Sequence, residues 1–403
     1  MRRLLKLLII NICIVSSLGF VSCETEEVVS QNPQTLIFYF AGTDLTFYYY
    51  RNISALKDAI RQNIMGDSRV ILFFQQGEKN SAEIIELVYN NGSCEEKNFT
   101  HDRPLPLPEK MDAESLSFFL KEIMRHAPAD SYSLIIGSHG LGWIPMGATP
   151  DGTASAGLQG SSHEDNFWQQ TGDIKTRFIG EEKNPQNAFE ISTLAQAIAK
   201  TGVQFEYILF DACFMANVES AYDLRNSAKY IVGSVCEIMG DGFPYNTVLP
   251  YMLKHNGTSY DLDGVCQAFN TFYRKNYGYS GSISIINCAE LEGLANAMKS
   301  VNQGFKREYD ISTLQFYEGQ RRHVFFDLGD YVDKVCDDTN VKKAFIDQLN
   351  RTVIKKYTLD KYYSAYGVRG EYSIKSYSGL STSAPAEVYT SFYKQTSWYK
   401  ATN

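Results

Sequence analysis

The chain has 403 residues and a formal charge of −8, with 44% hydrophobic and 21% charged residues. That is enough apolar material for a substantial core, divided between a main domain and a smaller one. Its acidic balance speaks against nucleic acid as a partner and for cationic substrates. No Walker loop, GxGxxG fingerprint, HExxH or zinc-type Cys/His cluster occurs, so the pattern implies neither a metal site nor a cofactor, and a calcium requirement stays open.

Arg2, Arg3 and Lys6 make a basic start, Leu7 to Leu18 is mostly apolar, and Phe20-Val21-Ser22-Cys23 follows. This is the design of a secretory signal over residues 1–22. The apolar run is shorter than the ~20 residues a span needs. The Ser22-Cys23 junction resembles the bacterial lipoprotein cleavage box, although Phe20 stands where Leu is commoner. Cys23 would then carry a lipid; plain secretion is the alternative. The expected location is the outer membrane or cell surface of a Gram-negative bacterium. Residues 23–34 read as a polar tether, and its acidic run Glu24-Thr25-Glu26-Glu27 is similar to surface-export signals of such lipoproteins. Among the later cysteines the spacings are irregular, and those other than Cys213 read as small buried hydrophobes.

Thr35 to Phe40 is a buried-type strand ending in Ala41-Gly42-Thr43-Asp44, where Asp44 either lines a cleft or serves the turn. Ser54 to Ile64 has helical spacing of Ala, Leu and Ile. Arg69 to Phe74 is another strand, and Ile84 to Tyr89 pairs with a partner near Phe99 in a hairpin turned by Asn90-Asn91-Gly92. Arg103 to Pro108 is a proline-rich loop, and Asp112 opens a helix to about His126. A strand over Tyr132 to Gly137 ends in Ser138-His139-Gly140. A long polar stretch from Gly147 to Asn187 follows, of a length that is usually functional or disordered. Ile191 to Lys200 is a helix, and the strand from Tyr207 ends in Asp211-Ala212-Cys213. A helix over Asn217 to Arg225 leads to the strand Lys229 to Val235. Such alternation predicts an α/β fold: a three-layer sandwich whose mostly parallel sheet has helices on both faces. The main domain is expected over 35–255 and a smaller C-terminal α+β subdomain over 256–403, with a tail of short antiparallel strands from Tyr372.

Two strands thus deliver an imidazole and a thiol to their carboxyl ends, where chemistry gathers in such sheets. A thiol is only a few per cent ionised at neutral pH and needs a base, which His139 can supply. The N–H groups of Gly140 and Cys213 could form an oxyanion hole. A core cysteine and a turn histidine are the alternative. Asp211 shares a strand face with Cys213 and suits a pocket for a basic side chain, or else satisfies nearby backbone donors. Asp241, between two glycines, could reach the same cleft or be a plain turn residue. His126 reads as a residue of the helix's C-terminal turn before Pro128, His163 lies in the long polar stretch, and His101 and His323 have no supporting pattern.

Ser138-His139-Gly140-Leu141-Gly142-Trp143 with Asp211-Ala212-Cys213-Phe214-Met215 resembles the clostripain family of cysteine peptidases, relatives of caspases, legumains and gingipains. Phe38 to Leu45, Glu237 to Tyr245, Asp327 to Asp330 and Tyr377 to Ser381 extend the resemblance over nearly all of the mature chain. It implies a caspase-like fold, Cys213 as nucleophile, His139 as general base and acid, and Asp211 as the carboxylate selecting Arg or Lys before the scissile bond. Asp241 matches a second pocket position. The family often cuts itself between the two motifs; here the only basic residues of the long polar stretch are Lys175, Arg177 and Lys183. The expected protein is a monomeric, exported lipoprotein endopeptidase acting on peptides and proteins with basic residues. The rival is a non-catalytic lipoprotein of the same fold that binds peptides or glycans.

Overall fold

A computed structural model describes residues 32–40, 42, 44–75, 81–145, 148, 179–181, 184–254, 259–304 and 307–403. The main-sheet strands are β1 (Thr35–Phe40), β2 (Arg69–Phe74), β3 (Ser81–Asn90), β4 (Ser93–Asn98), β5 (Tyr132–Gly137), β6 (Phe205–Asp211), β7 (Ala228–Gly233), β8 (Ile283–Asn287) and β9 (Val353–Tyr357). They lie in the order β9-β8-β7-β6-β5-β1-β2-β3-β4 within a ten-stranded sheet, in which Leu105–Pro106 also pairs with β3. From β7 to β2 the neighbours are parallel; β8, β9, β3 and β4 add antiparallel edges. The result is the expected α/β sandwich.

The period-2 alternation of each central strand divides the core. Ile37, Ile71, Leu134, Ile208 and Ile231 face one layer, where α2 (Ala113–His126) buries Leu116, Leu120 and Ile123. Leu36, Val70, Ile135, Leu209 and Val232 face the other, against Leu56 and Ile60 of α1 (Thr46–Ile60) and Val265 and Phe269 of the helix Leu262–Asn276. With both faces covered, β1 and β5 are buried throughout and mostly apolar. Helix α2 starts where expected: the Asp112 side chain accepts a hydrogen bond from Ser115 N at 2.8 Å, and Arg125 and His126 lie in its last turn.

The structure differs locally from the sequence expectation at three places. Helix α1 begins at Thr46, well before Ser54, because Tyr49 stacks on Phe40 at 4.8 Å and donates its hydroxyl to Gly137 O at 3.0 Å. That packing overrides the weak helix propensity of the aromatic run. The polar stretch from Gly147 to Asn187 ends in a hairpin, Ile179–Glu181 paired with Asn184–Phe189. In the tail, Lys361–Ser364 and Gly370–Ser373 pair antiparallel, but the chain finishes in helices Thr390–Tyr393 and Ser397–Thr402, the latter capped by Thr396 Oγ1 accepting from Tyr399 N. Strands β8 and β9 come from beyond residue 256, so the expected C-terminal subdomain shares its sheet with the strands that carry the histidine and the cysteine.

Candidate active site

β5 and β6 are adjacent and parallel, with Gly137 opposite Asp211. The pairing runs one step further, as Ser138 N donates to Asp211 O at 3.2 Å. His139 and Cys213 each stand two residues beyond the Gly137–Asp211 pair and line one cavity of about 360 Å³, together with Asp44, Asp211 and Glu237. The two turns press together at Gly140. A Cβ there would lie 2.5 Å from Cys213 O and 3.1 Å from Cys213 N, so only glycine permits this approach.

The Cys213 sulfur is partly exposed and accepts a hydrogen bond from Ile238 N at 3.4 Å. Burial, and after it the charge of Glu237, push its thiol up, which disfavours the thiolate. His139 is buried, and its Nε2 lies 3.0 Å from Asp44 Oδ2. For Asp44, burial raises the carboxyl, but the hydrogen bond and charge of His139 and local backbone donors outweigh it and hold the group below its ordinary value.

Asp211 is a half-buried carboxylate on the cavity wall. Tyr245 Oη donates to its Oδ2 at 2.8 Å and Phe243 N at 3.4 Å. Burial nevertheless raises its pKa to about 6, against the pull of those donors. Gly242, with φ +63°, presses its backbone against this carboxylate; a Cβ there would sit 2.4 Å from Oδ2. Glu237 is tied elsewhere, accepting from Ser364 Oγ (2.6 Å), Ala365 N (2.9 Å) and Tyr366 N (3.0 Å), and so fastens the loop after β7 to the C-terminal part.

Asp241 does not line the cavity that holds Cys213. Its carboxylate takes a salt bridge from Arg51 Nη1 at 2.6 Å and a hydrogen bond from Tyr277 Oη, beside a neighbouring hollow. His126 stacks on Phe99, and His323 donates to or accepts from the buried Glu318 at 3.0 Å; neither is in the cavity. Cys236, Cys266, Cys288 and Cys336 are buried, and no described cysteine is paired. Cys23, His163, Lys175, Arg177 and Lys183 lie outside the described residues. Among the described residues no group of His, Cys, Asp and Glu could hold a metal, and no helix is long and apolar enough to cross a membrane.

An α/β sandwich that brings a thiol and an imidazole from neighbouring parallel strands into one cavity is the build of a cysteine peptidase. The sequence profile of the clostripain family of peptidases matches residues 155–402. The chain belongs to that family and is a cysteine protease. It is 34% identical to a secreted cysteine protease of the same class from Bacteroides thetaiotaomicron, iotapain, over 93% of this chain and 99% of that one, with a TM-score of 0.78. An inactive zymogen protease from Parabacteroides distasonis is 26% identical, over 93% and 99% of the two chains, with a TM-score of 0.73. A second secreted protease from B. thetaiotaomicron, bound to an irreversible peptide inhibitor, is 24% identical over 92% and 99% (TM-score 0.73) and shows the fold alone. Comparison with curated proteins finds no match.

Proposed function

We propose that the chain is an exported, lipid-anchored endopeptidase that hydrolyses peptide bonds after basic residues, with Cys213 as nucleophile and His139 as base and acid. His139 takes the Sγ proton as Sγ bonds to the scissile carbonyl carbon, because a thiol is only a few per cent ionised at neutral pH and its surroundings here disfavour the thiolate further. The N–H groups of Gly140 and Cys213 receive the oxyanion. As the C–N bond breaks, the proton on His139 passes to the leaving amine and a thioester remains. Water, losing a proton to His139, then attacks the thioester carbon; the acid product leaves and Sγ recovers the proton.

The observation that carries the specificity is Asp211, a carboxylate raised to about 6 by burial that shares its cavity with His139 and Cys213. An arginine would pair with it through two parallel hydrogen bonds and a lysine through a point charge. Asp241 already carries Arg51 as its counter-charge, so we assign the selecting role to Asp211 alone. With a basic preference, any self-cleavage within the polar stretch from Gly147 to Asn187 would fall at Lys175, Arg177 or Lys183, the Lys and Arg residues of that stretch. The signal-like start supports removal of residues 1–22, a lipid on Cys23 and a place on the outer membrane or cell surface, the working unit being a monomer. The test is turnover of Arg-, Lys-, Asp- and Asn-ended reporter peptides by wild type and Cys213→Ala. The reading requires hydrolysis of the basic pair only, abolished in the variant; equal or greater turnover of the Asp or Asn reporter contradicts it.

A further inference from the structure

Among the described residues three carboxylates line the cavity, and each has a different partner. Asp211 is held by Tyr245 and Phe243, and Glu237 by Ser364, Ala365 and Tyr366. Asp44 reaches the histidine. We propose that Asp44 is the positioning residue of the reaction: its carboxylate binds His139 through Nε2, leaves Nδ1 as the basic nitrogen for Cys213, and stabilises the imidazolium that forms. This rests on the dyad reading given above.

The topology brings the pair together. β1 lies beside β5 with Phe40 opposite Gly137, so the turn carrying Asp44 and the turn carrying His139 leave the same sheet edge from neighbouring strands. The two residues are 95 positions apart in the chain. Chemistry then fixes the tautomer. Asp44 is held in its ionised form, and a carboxylate can only accept, so the shared proton belongs to Nε2. In a neutral imidazole that makes Nδ1 the lone-pair nitrogen. When His139 takes the thiol proton it becomes a cation in a buried place. The polar and titratable groups that line its cavity are Asp44 from the turn after β1, Tyr48, Tyr49 and Asn52 from α1, Ser138 from its own turn, Asp211 and Cys213 from the end of β6, Glu237 from the loop after β7, and Tyr363 from the C-terminal part. No Lys or Arg is among the described lining residues to oppose that cation. Asp44 is the carboxylate in direct contact.

Asp44 keeps 46% of its side chain exposed, so replacing it leaves the packed core untouched and solvent screens part of its charge. Asparagine keeps an acceptor for Nε2–H but no charge; alanine keeps neither. Since a positioned base contributes ~10²–10⁴-fold, Asp44→Asn should lower kcat by about tenfold and Asp44→Ala by about a hundredfold, with KM little changed. The acid limb of the kcat/KM profile should move to lower pH in Asp44→Asn, because the imidazolium has lost its neighbour. Asp44→Glu should return the limb toward the wild-type position. The profile is read with a citrulline-ended reporter, whose turnover does not need the Asp211 charge, and thermal melting confirms folding of each variant. Unchanged kcat and an unmoved limb overturn the inference, and so does a loss of activity with the limb unmoved, the mark of a merely structural residue. His139→Ala is run alongside. If it is dead while Asp44→Asn behaves as wild type, only this inference falls; if it stays active, the dyad reading falls first and takes the inference with it.

Discussion

The pH dependence of the preference for arginine tests the role of Asp211 quantitatively. Burial moves this carboxyl from 3.8 to about 6. At 1.36 kcal/mol per unit, its ionised form is disfavoured in the empty pocket by about 3 kcal/mol, equivalent to roughly 150-fold. An arginine guanidinium relieves this; citrulline has nearly the same shape and no charge. Part of the gain is offset by desolvation of the guanidinium. Above pH 6 the Arg-to-citrulline ratio of kcat/KM should therefore lie between roughly tenfold and 150-fold. A carboxyl with a raised pKa becomes neutral as pH falls through that value, so the ratio should shrink by up to about tenfold per unit below 6 and level off near 4. Both substrates use the same thiol and imidazole, and their titration cancels in the ratio. The assay is competitive turnover of the two reporters from pH 4 to 8, in wild type and Asp211→Asn. The variant should show a small, flat ratio while still reacting with a small alkylating agent. A ratio in wild type that does not change with pH, or one that survives in Asp211→Asn, would refute the assignment.

Gly140→Ala should lower kcat/KM at least ~10²-fold, the cost of a lost oxyanion donor, since its Cβ would force the two turns apart; turnover normalised to folded protein checks this. Glu219 is fully buried, accepts from Thr382 Oγ1 and Ser383 N, and is raised by burial from 4.5 to about 7. Its contribution to stability is complete below about 4.5 and is lost as pH rises through 7, by up to about 3 kcal/mol. Urea denaturation should thus show Glu219→Gln gaining on wild type from pH 5 to pH 8; a constant difference would contradict it. Cys23→Ser should abolish labelling by a radioactive fatty acid in cells, and a label that persists would place the lipid elsewhere.

Much of the site was legible because each chemical residue follows a short apolar run. Tyr132–Gly137 and Phe205–Asp211 announce buried strands, and His139 and Cys213 stand just past their ends. The strand order that makes those ends neighbours is not written in either segment; it came from resemblance. Asp44 was readable as a turn or cleft residue, but its partner is set by β1 lying beside β5, a non-local fact. Asp241 reads in isolation as a free acid in a Gly-flanked loop. Its counter-charge, Arg51, stands on a helix whose first turn, Phe47 to Tyr50, has the aromatic composition of a strand. The same bias misled in the tail, where Tyr and Ser suggested strands up to the end and Trp398 instead buries itself from a helix.

The claim that Cys213 is the nucleophile is tested most directly by mapping the adduct of an Arg-ended electrophilic peptide on the purified mature chain by mass spectrometry. A single adduct on Cys213, absent from Cys213→Ala and prevented by an excess of Arg-ended substrate, is the predicted result. An adduct on Cys236 or another residue, or active enzyme that Cys213→Ala leaves undiminished, would contradict it.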